Sequence, residues 1–439
     1  MIRTTLSAGV RPVQCLQNAV SISVGSARHS SSSSSSSVFS VLRSLVSLNS
    51  MTDFSPCSVH NSYSSPLIVS EVTSPSTSPE SAKEKPHKVN GHFVNPWPSA
   101  GDGNVKFTEL IRSRLSREWR NVTVSANMMP VITPDFNAPL SDRSNIRATW
   151  LGHATYYVEM PTGLKVLFDP VLGNKCAPKW APGFNRISPA PCKISDIPAV
   201  DLVVISHNHY DHLDDHTIAL IRKYFPEAYY FVPLGIKKWF TNKGILDVTE
   251  LDWWEERDIS VNGVTSTISC LPCQHGGNRS IDDHGKSLWS SWSITSKGKL
   301  YFAGDTGYRH VPKLPIDQDD YAIDMPHCPA FGEIGEHRGP FDLALIPIGA
   351  YSPRWIMSKA HCNPFDSVNL FQDIKAKRAL AMHFGTWTLT DEPVLEPVEK
   401  LKEALCRKGL PETGLFDAIQ IGQAVEVPVE PVPWPISSS

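Results

Sequence analysis

Between positions 206 and 214 the chain reads Ser-His-Asn-His-Tyr-Asp-His-Leu-Asp, directly after the apolar segment Asp201 to Ile205. Four metal-capable side chains, His207, His209, Asp211 and His212, fall within six residues. On an extended loop the two-residue spacing of His207 and His209 aims both imidazoles to one side, where they can share one cation. Asp211 and His212 extend past them, and a second ion would need ligands from distant segments. Residues of the right type stand at the ends of other strand-like segments: His275, Asp305 and His383. A solvated polar turn with a helix cap would account for Asp214 and Asp215, ahead of the helical segment Thr217 to Phe225, but not for the histidines. Five histidines and two aspartates form the candidate metal set.

From Ile146 onward short β-rich segments alternate with helical ones: Ala148 to Leu151, Lys165 to Phe168, Asp201 to Ile205, Thr267 to Leu271, Leu300 to Ala303, Leu343 to Ile348 and Arg378 to Met382. The chain is therefore expected to be α/β. Several of these strands end just before a histidine or aspartate, where α/β proteins gather their chemistry. Residues 91 to 439 carry no internal repeat visible in the sequence.

The 439 residues exceed an average domain, which suggests one large domain with a tail. Lys+Arg 41 against Asp+Glu 44, with 41% hydrophobic residues, describes an ordinary soluble globular protein and no nucleic-acid partner. No run approaches the ~18 uninterrupted apolar residues of a spanning helix, so membrane contact is expected to be peripheral. Nine scattered cysteines argue against a secreted disulfide scaffold and for a reducing, intracellular compartment. Cys270-Leu-Pro-Cys273 could be a redox pair; buried thiols are the favoured reading.

Residues 1 to 52 contain four arginines, many serines and no acidic residue, the composition of a mitochondrial transit segment or of a disordered leader. Residues 53 to 90 are Ser/Pro-rich and read as a disordered linker. Order is expected from near Phe93, with a hydrolase domain over 91–439. Phe107, Leu110, Ile111, Leu115 and Trp119 share one face of a predicted helix whose other face carries Arg112, Arg114, Arg117 and Arg120. That basic face suits anionic headgroups or plain solvent.

His-x-His-x-Asp-His at 207 to 212 resembles the signature of the metallo-β-lactamase superfamily. The phrases Trp150-Leu-Gly-His-Ala-Thr155, Leu251-Asp-Trp-Trp-Glu255, Phe302-Ala-Gly-Asp-Thr-Gly-Tyr308 and Ile346-Pro-Ile-Gly-Ala-Tyr351 closely resemble the N-acylphosphatidylethanolamine-hydrolysing phospholipase D family, over about Phe93 to Gln423. The resemblance implies an αββα sandwich with a two-metal site at one edge. It implies one zinc held by His207, His209 and His275, a second held by Asp211, His212 and His383, and Asp305 bridging both, with Asp211 and Asp305 counted among the catalytic residues. It places His361 beside the bound substrate, and it implies a membrane phospholipid as partner and a homodimer. The chain departs from the pattern at Arg309 to His327, an insert that reads as a surface loop, a lid or a gene-model error.

A two-metal site suits a phosphodiester, whose charge must be neutralised and whose phosphorus needs a strong nucleophile near pH 7. The implied reaction releases N-acylethanolamine and leaves phosphatidic acid. Iron or manganese would suit the His/Asp ligands nearly as well as zinc. Asp214 is a candidate partner for a metal-binding imidazole as well as a helix cap. Trp253, Trp254, Trp355 and Trp387 line an acyl groove or fill the core. Two alternatives stand beside the lipid reading: a hydrolase of the same fold acting on a soluble ester, lactone or phosphate, and a non-catalytic metal-binding scaffold.

Overall fold

Strands with side chains buried on both faces dominate the computed structural model, which describes residues 67–101 and 128–429 except 179, 180, 182, 281, 316 and 317. The basic helix expected around Phe107 to Arg120 and the leader over residues 1 to 52 lie outside the described residues. In chain order the strands are β1 (Ile68–Ser70), β2 (Lys88–Val89), β3 (His92–Phe93), β4 (Ile146–Gly152), β5 (Thr155–Glu159), β6 (Lys165–Phe168), β7 (Leu202–Val204), β8 (Tyr229–Pro233) and β9 (Val248–Leu251). They continue as β10 (Glu256–Val261), β11 (Val264–Leu271), β12 (Ser291–Thr295), β13 (Lys299–Phe302), β14 (Leu343–Pro347), β15 (Ala379–Met382), β16 (Phe416–Asp417) and β17 (Ala424–Val427). One sheet has the order β1-β10-β11-β12-β13-β14-β15-β16 and the other β17-β4-β5-β6-β7-β8-β9; β2 and β3 form a separate ribbon.

Strand alternation distributes the side chains between layers. Along β6 and β7, Val166, Phe168, Leu202 and Val204 face the second sheet, while Leu167 and Val203 face the other way, toward Ile218 and Ile221. Phe168 meets Phe302 of the opposite sheet with ring centroids 4.7 Å apart. Because both faces are covered, these parallel strands are continuously apolar, as parallel strands generally are. All seven strand segments read from the sequence are present, and the architecture is the expected αββα sandwich.

Helix α1 (Asp215–Tyr224) covers one outer face; α2 (Lys237–Thr241) follows, and α3 (Ala330–His337), α4 (Arg354–Met357), α5 (Pro364–Asp373) and α6 (Glu396–Arg407) come later in the chain. Asp214 begins α1 by accepting from Thr217 N at 3.0 Å, and Arg222 and Lys223 in the last turn complement the helix dipole.

The N-terminal boundary requires correction. Residues 67–90, expected to belong to a disordered linker, are ordered in the described structure. β1 pairs antiparallel with β10 and extends the sheet edge. Ser76 N donates to Glu256 at 2.6 Å, and the buried Asp252 accepts from His87, Lys85 and Lys88 at 2.8, 2.8 and 2.7 Å. Backbone pairing and ion contacts add to the small apolar burial of Leu67 and Val69, and composition does not register either.

The segment Arg309 to His327 packs beside α5. The buried Arg309 donates to Asp366 Oδ1 at 2.8 Å and to the carbonyls of Asp320 and Ile323, while Arg354 bridges Asp320 and Asp366. Cys270 and Cys273 are free and buried, in keeping with the favoured reading.

Candidate metal centre

The parallel order of β6 to β9 and of β13 to β16 brings strand ends together at one edge of the sandwich. His207 to His212 follow β7, His275 follows β11, Asp305 follows β13 and His383 follows β15. Gly304, with φ +59, permits the β13 end to approach: a Cβ there would stand 2.6 Å from Ser206 Cβ.

All seven predicted ligands converge. His207 Nε2 lies 2.8 Å from His209 Nδ1, and His275 Nε2 lies 3.2 Å from the same atom. Asp211 groups with His212 and His383. Asp305 stands between the sets, with Oδ2 3.9 Å from His207 Nε2, 3.7 Å from His275 Nε2 and 3.1 Å from His212 Nε2, and Oδ1 2.9 Å from His383 Nε2. His361 Nδ1 lies 3.9 Å from Asp305 Oδ2, beside His275.

The outer nitrogens decide whether this cluster suits a cation. His212 Nδ1 meets the Asp169 carboxylate at 2.7 Å, His275 Nδ1 meets the Ala360 carbonyl at 2.9 Å, and His209 Nε2 meets Asn278 Oδ1 at 3.0 Å. Ser206 Oγ donates to Asp169, so it accepts from His207 Nδ1 at 2.9 Å. Each of these acceptors takes the ring proton, leaving a lone pair on the inward nitrogen. His212 Nε2, His383 Nε2 and Asp305 Oδ1 are buried without a hydrogen-bond partner. Lone pairs and carboxylate oxygens crowded at 2.8–3.7 Å repel one another unless a cation lies among them, so the donor set fits a metal.

Electrostatics agree. Burial, then repulsion from His212 and His209, holds His207 well below the ordinary imidazole value. Burial would raise Asp305, but His212 and His383 hold it well below the usual carboxylate range. For His383 burial opposes the charge, yet Asp305 raises the imidazole to about 9. A metal ion competes with such protons for the same lone pairs.

Two neighbours were not singled out from the sequence. His153, after β4, is buried, bonds Asp211 Oδ2 at 2.9 Å through Nε2, and completes a group with Asp211, His212 and His383. Its backbone is left-handed at φ 52, as are Asp169 at 38 and His383 at 66, a concentration of strain of the kind found at functional sites. Asp169 directly follows β6, so the strand-end signal that revealed Asp305 applied to it as well. It occupies the role considered for Asp214, whose carboxylate caps α1 instead. Among the tryptophans, Trp253 fills the core, whereas Trp387 packs edge-on against His153 with ring centroids 4.8 Å apart.

A sequence profile described as Beta-lactamase superfamily domain matches residues 165–384. The chain is 37% identical over 358 residues to N-acyl-phosphatidylethanolamine-hydrolyzing phospholipase D 1 of Caenorhabditis elegans, covering 78% of this chain and 94% of that protein. The chain belongs to the N-acyl-phosphatidylethanolamine-hydrolysing phospholipase D family. A second family member, the Saccharomyces cerevisiae protein named N-acyl-phosphatidylethanolamine-hydrolyzing phospholipase D, mitochondrial, is 35% identical over 260 residues, 58% of this chain and 50% of its own length. A "UPF0173 metal-dependent hydrolase" of Solibacter usitatus is 26% identical over 252 residues, 56% of this chain and 88% of its own length. As a family member the chain is a metal-dependent hydrolase of the phosphodiesterase type, which sets aside the non-catalytic scaffold. No helix among the described residues is long and apolar enough to cross a membrane.

Proposed function

We propose that the chain hydrolyses N-acylphosphatidylethanolamine to N-acylethanolamine and phosphatidic acid with two zinc ions. His207, His209 and His275 would hold one ion, Asp211, His212 and His383 the other, and Asp305 both. When bound, the pair supplies neutralising charge for the diester and lowers the pKa of water near pH 7. The observation that carries this reading is the convergence of the seven predicted ligands around one point, with Asp305 between the two sets, in a chain that spans nearly all of a relative bearing that name.

The protein's own groups then orient the reactants. Asp169, Ala360 and Asn278 keep the imidazole lone pairs inward. His361, which burial lowers to about 4, is neutral near pH 7 and can donate one hydrogen bond to a phosphoryl oxygen. The water oxygen bonds to phosphorus, the bond from phosphorus to the ethanolamine oxygen breaks, and that oxygen leaves with a proton. The 37% identity to a relative named for N-acyl-phosphatidylethanolamine hydrolysis supports an acyl-bearing substrate over a soluble ester or phosphate.

The lipid substrate implies peripheral membrane contact. The arginine-rich, acid-free residues 1–52 and the yeast relative's name favour a mitochondrial location. The reaction is tested by mass spectrometry of products formed from N-acylated phosphatidylethanolamine vesicles. N-acylethanolamine and phosphatidic acid are expected, and are expected to vanish with His209→Ala. Release of fatty acid would overturn the reaction, and unchanged turnover by the variant would overturn the site.

A further inference from the structure

One proposed ligand has its backbone held as well as its ring. β11 ends at Leu271 and Pro272 follows, so His275 lies beyond the ladder and its main-chain groups need other partners. Asn95, on the N-terminal segment just after β3, supplies both. Its Nδ2 donates to the His275 carbonyl at 2.7 Å, and its Oδ1 accepts from the His275 N–H at 3.2 Å, across 180 positions of sequence. The neighbouring pair repeats the tie: Ser99 Oγ donates to Gln274 Oε1 at 2.6 Å, and Gln274 Nε2 donates to the Ser99 carbonyl at 3.2 Å. Gln274 N also donates to Thr306 Oγ1, one residue past Asp305, at 2.9 Å.

Asn95 clamps the backbone of His275 while the Ala360 carbonyl fixes the ring, so together they hold both ends of this side chain. The Asn95 amide presents a donor and an acceptor in one plane; a carboxylate would face the His275 carbonyl with a second acceptor, and an aliphatic chain would offer neither. We infer that Asn95 is a positioning residue for the cation held by His207, His209 and His275. The N-terminal segment is thereby part of the metal centre's support, without touching the ion. This inference rests on His275 being a ligand. Its mechanism is orientation: loss of the clamp frees the His275 backbone to rotate and moves Nε2 from its place 3.2 Å from His209 Nδ1.

The test uses full-length wild type, Asn95→Leu and Asn95→Asp. Zinc retained per chain is measured after dialysis against graded chelator, and the visible absorption of cobalt-substituted protein is recorded. Loss of an outer partner typically weakens metal binding about 10- to 100-fold, so each variant is expected to release one of two ions at a correspondingly lower chelator concentration. The cobalt bands of that ion are expected to change intensity, which a general loosening of the fold would not produce while the second ion's bands persist. Wild type that retains two ions, with variants giving the same chelator curve and cobalt spectrum, would overturn the role of Asn95 and leave the metal site intact. Wild type that retains no ion would instead overturn the site on which the inference rests.

Discussion

Asp169 Oδ2 lies 2.7 Å from His212 Nδ1, and the same carboxylate accepts from Ser206 N at 2.7 Å. One buried acid thus orients a ring on each side of the candidate site, His212 directly and His207 through the Ser206 hydroxyl. Asn tolerates the left-handed backbone that Asp169 adopts at φ 38, so Asp169→Asn isolates the loss of charge from backbone strain. Metal affinity is expected to fall about 10- to 100-fold, read by chelator competition. An unchanged affinity would show that neither ring depends on this carboxylate.

Chelation should remove activity and lower the melting temperature together, because the crowded lone pairs and carboxylates lose the charge that reconciles them. Re-addition of zinc is expected to restore both, with metal analysis giving two equivalents per chain. Full hydrolysis after exhaustive chelation would refute metal dependence.

The buried Asp252 connects the N-terminal segment to the sheet edge. Burial would raise its carboxyl, but hydrogen bonds from His87, Lys85 and Lys88 hold it well below its ordinary value of 3.8. A depressed folded value means that its contribution is complete above that unfolded value and fades as pH falls below it. Melting temperature in wild type should therefore drop more steeply as pH falls from about 4 to about 2 than in Asp252→Asn. Parallel curves would contradict this.

Gly304→Ala would place a Cβ 2.6 Å from Ser206 Cβ at a backbone φ of +59. Overpacking and strain predict about 1–3 kcal/mol or more of destabilisation in urea unfolding, along with reduced metal content as Asp305 shifts. Wild-type stability and metal content in this variant would show that the β13 end is not tightly packed.

The seven candidate ligands and the α/β class were legible because their causes are local, while the αββα arrangement was implied by the family resemblance. A histidine run after an apolar strand, and acids or histidines at other strand ends, announce themselves by residue type and spacing. The order of residues 67–90, the pairing of β1 with β10, and the roles of His153, Asp169 and Asn95 were decided by the tertiary structure. Each depends on hydrogen bonds spanning tens to hundreds of positions, such as His153 to Asp211 and Asn95 to His275. An isolated polar residue has the same local appearance whether it faces solvent or a partner, and only the fold fixes which neighbour receives its proton.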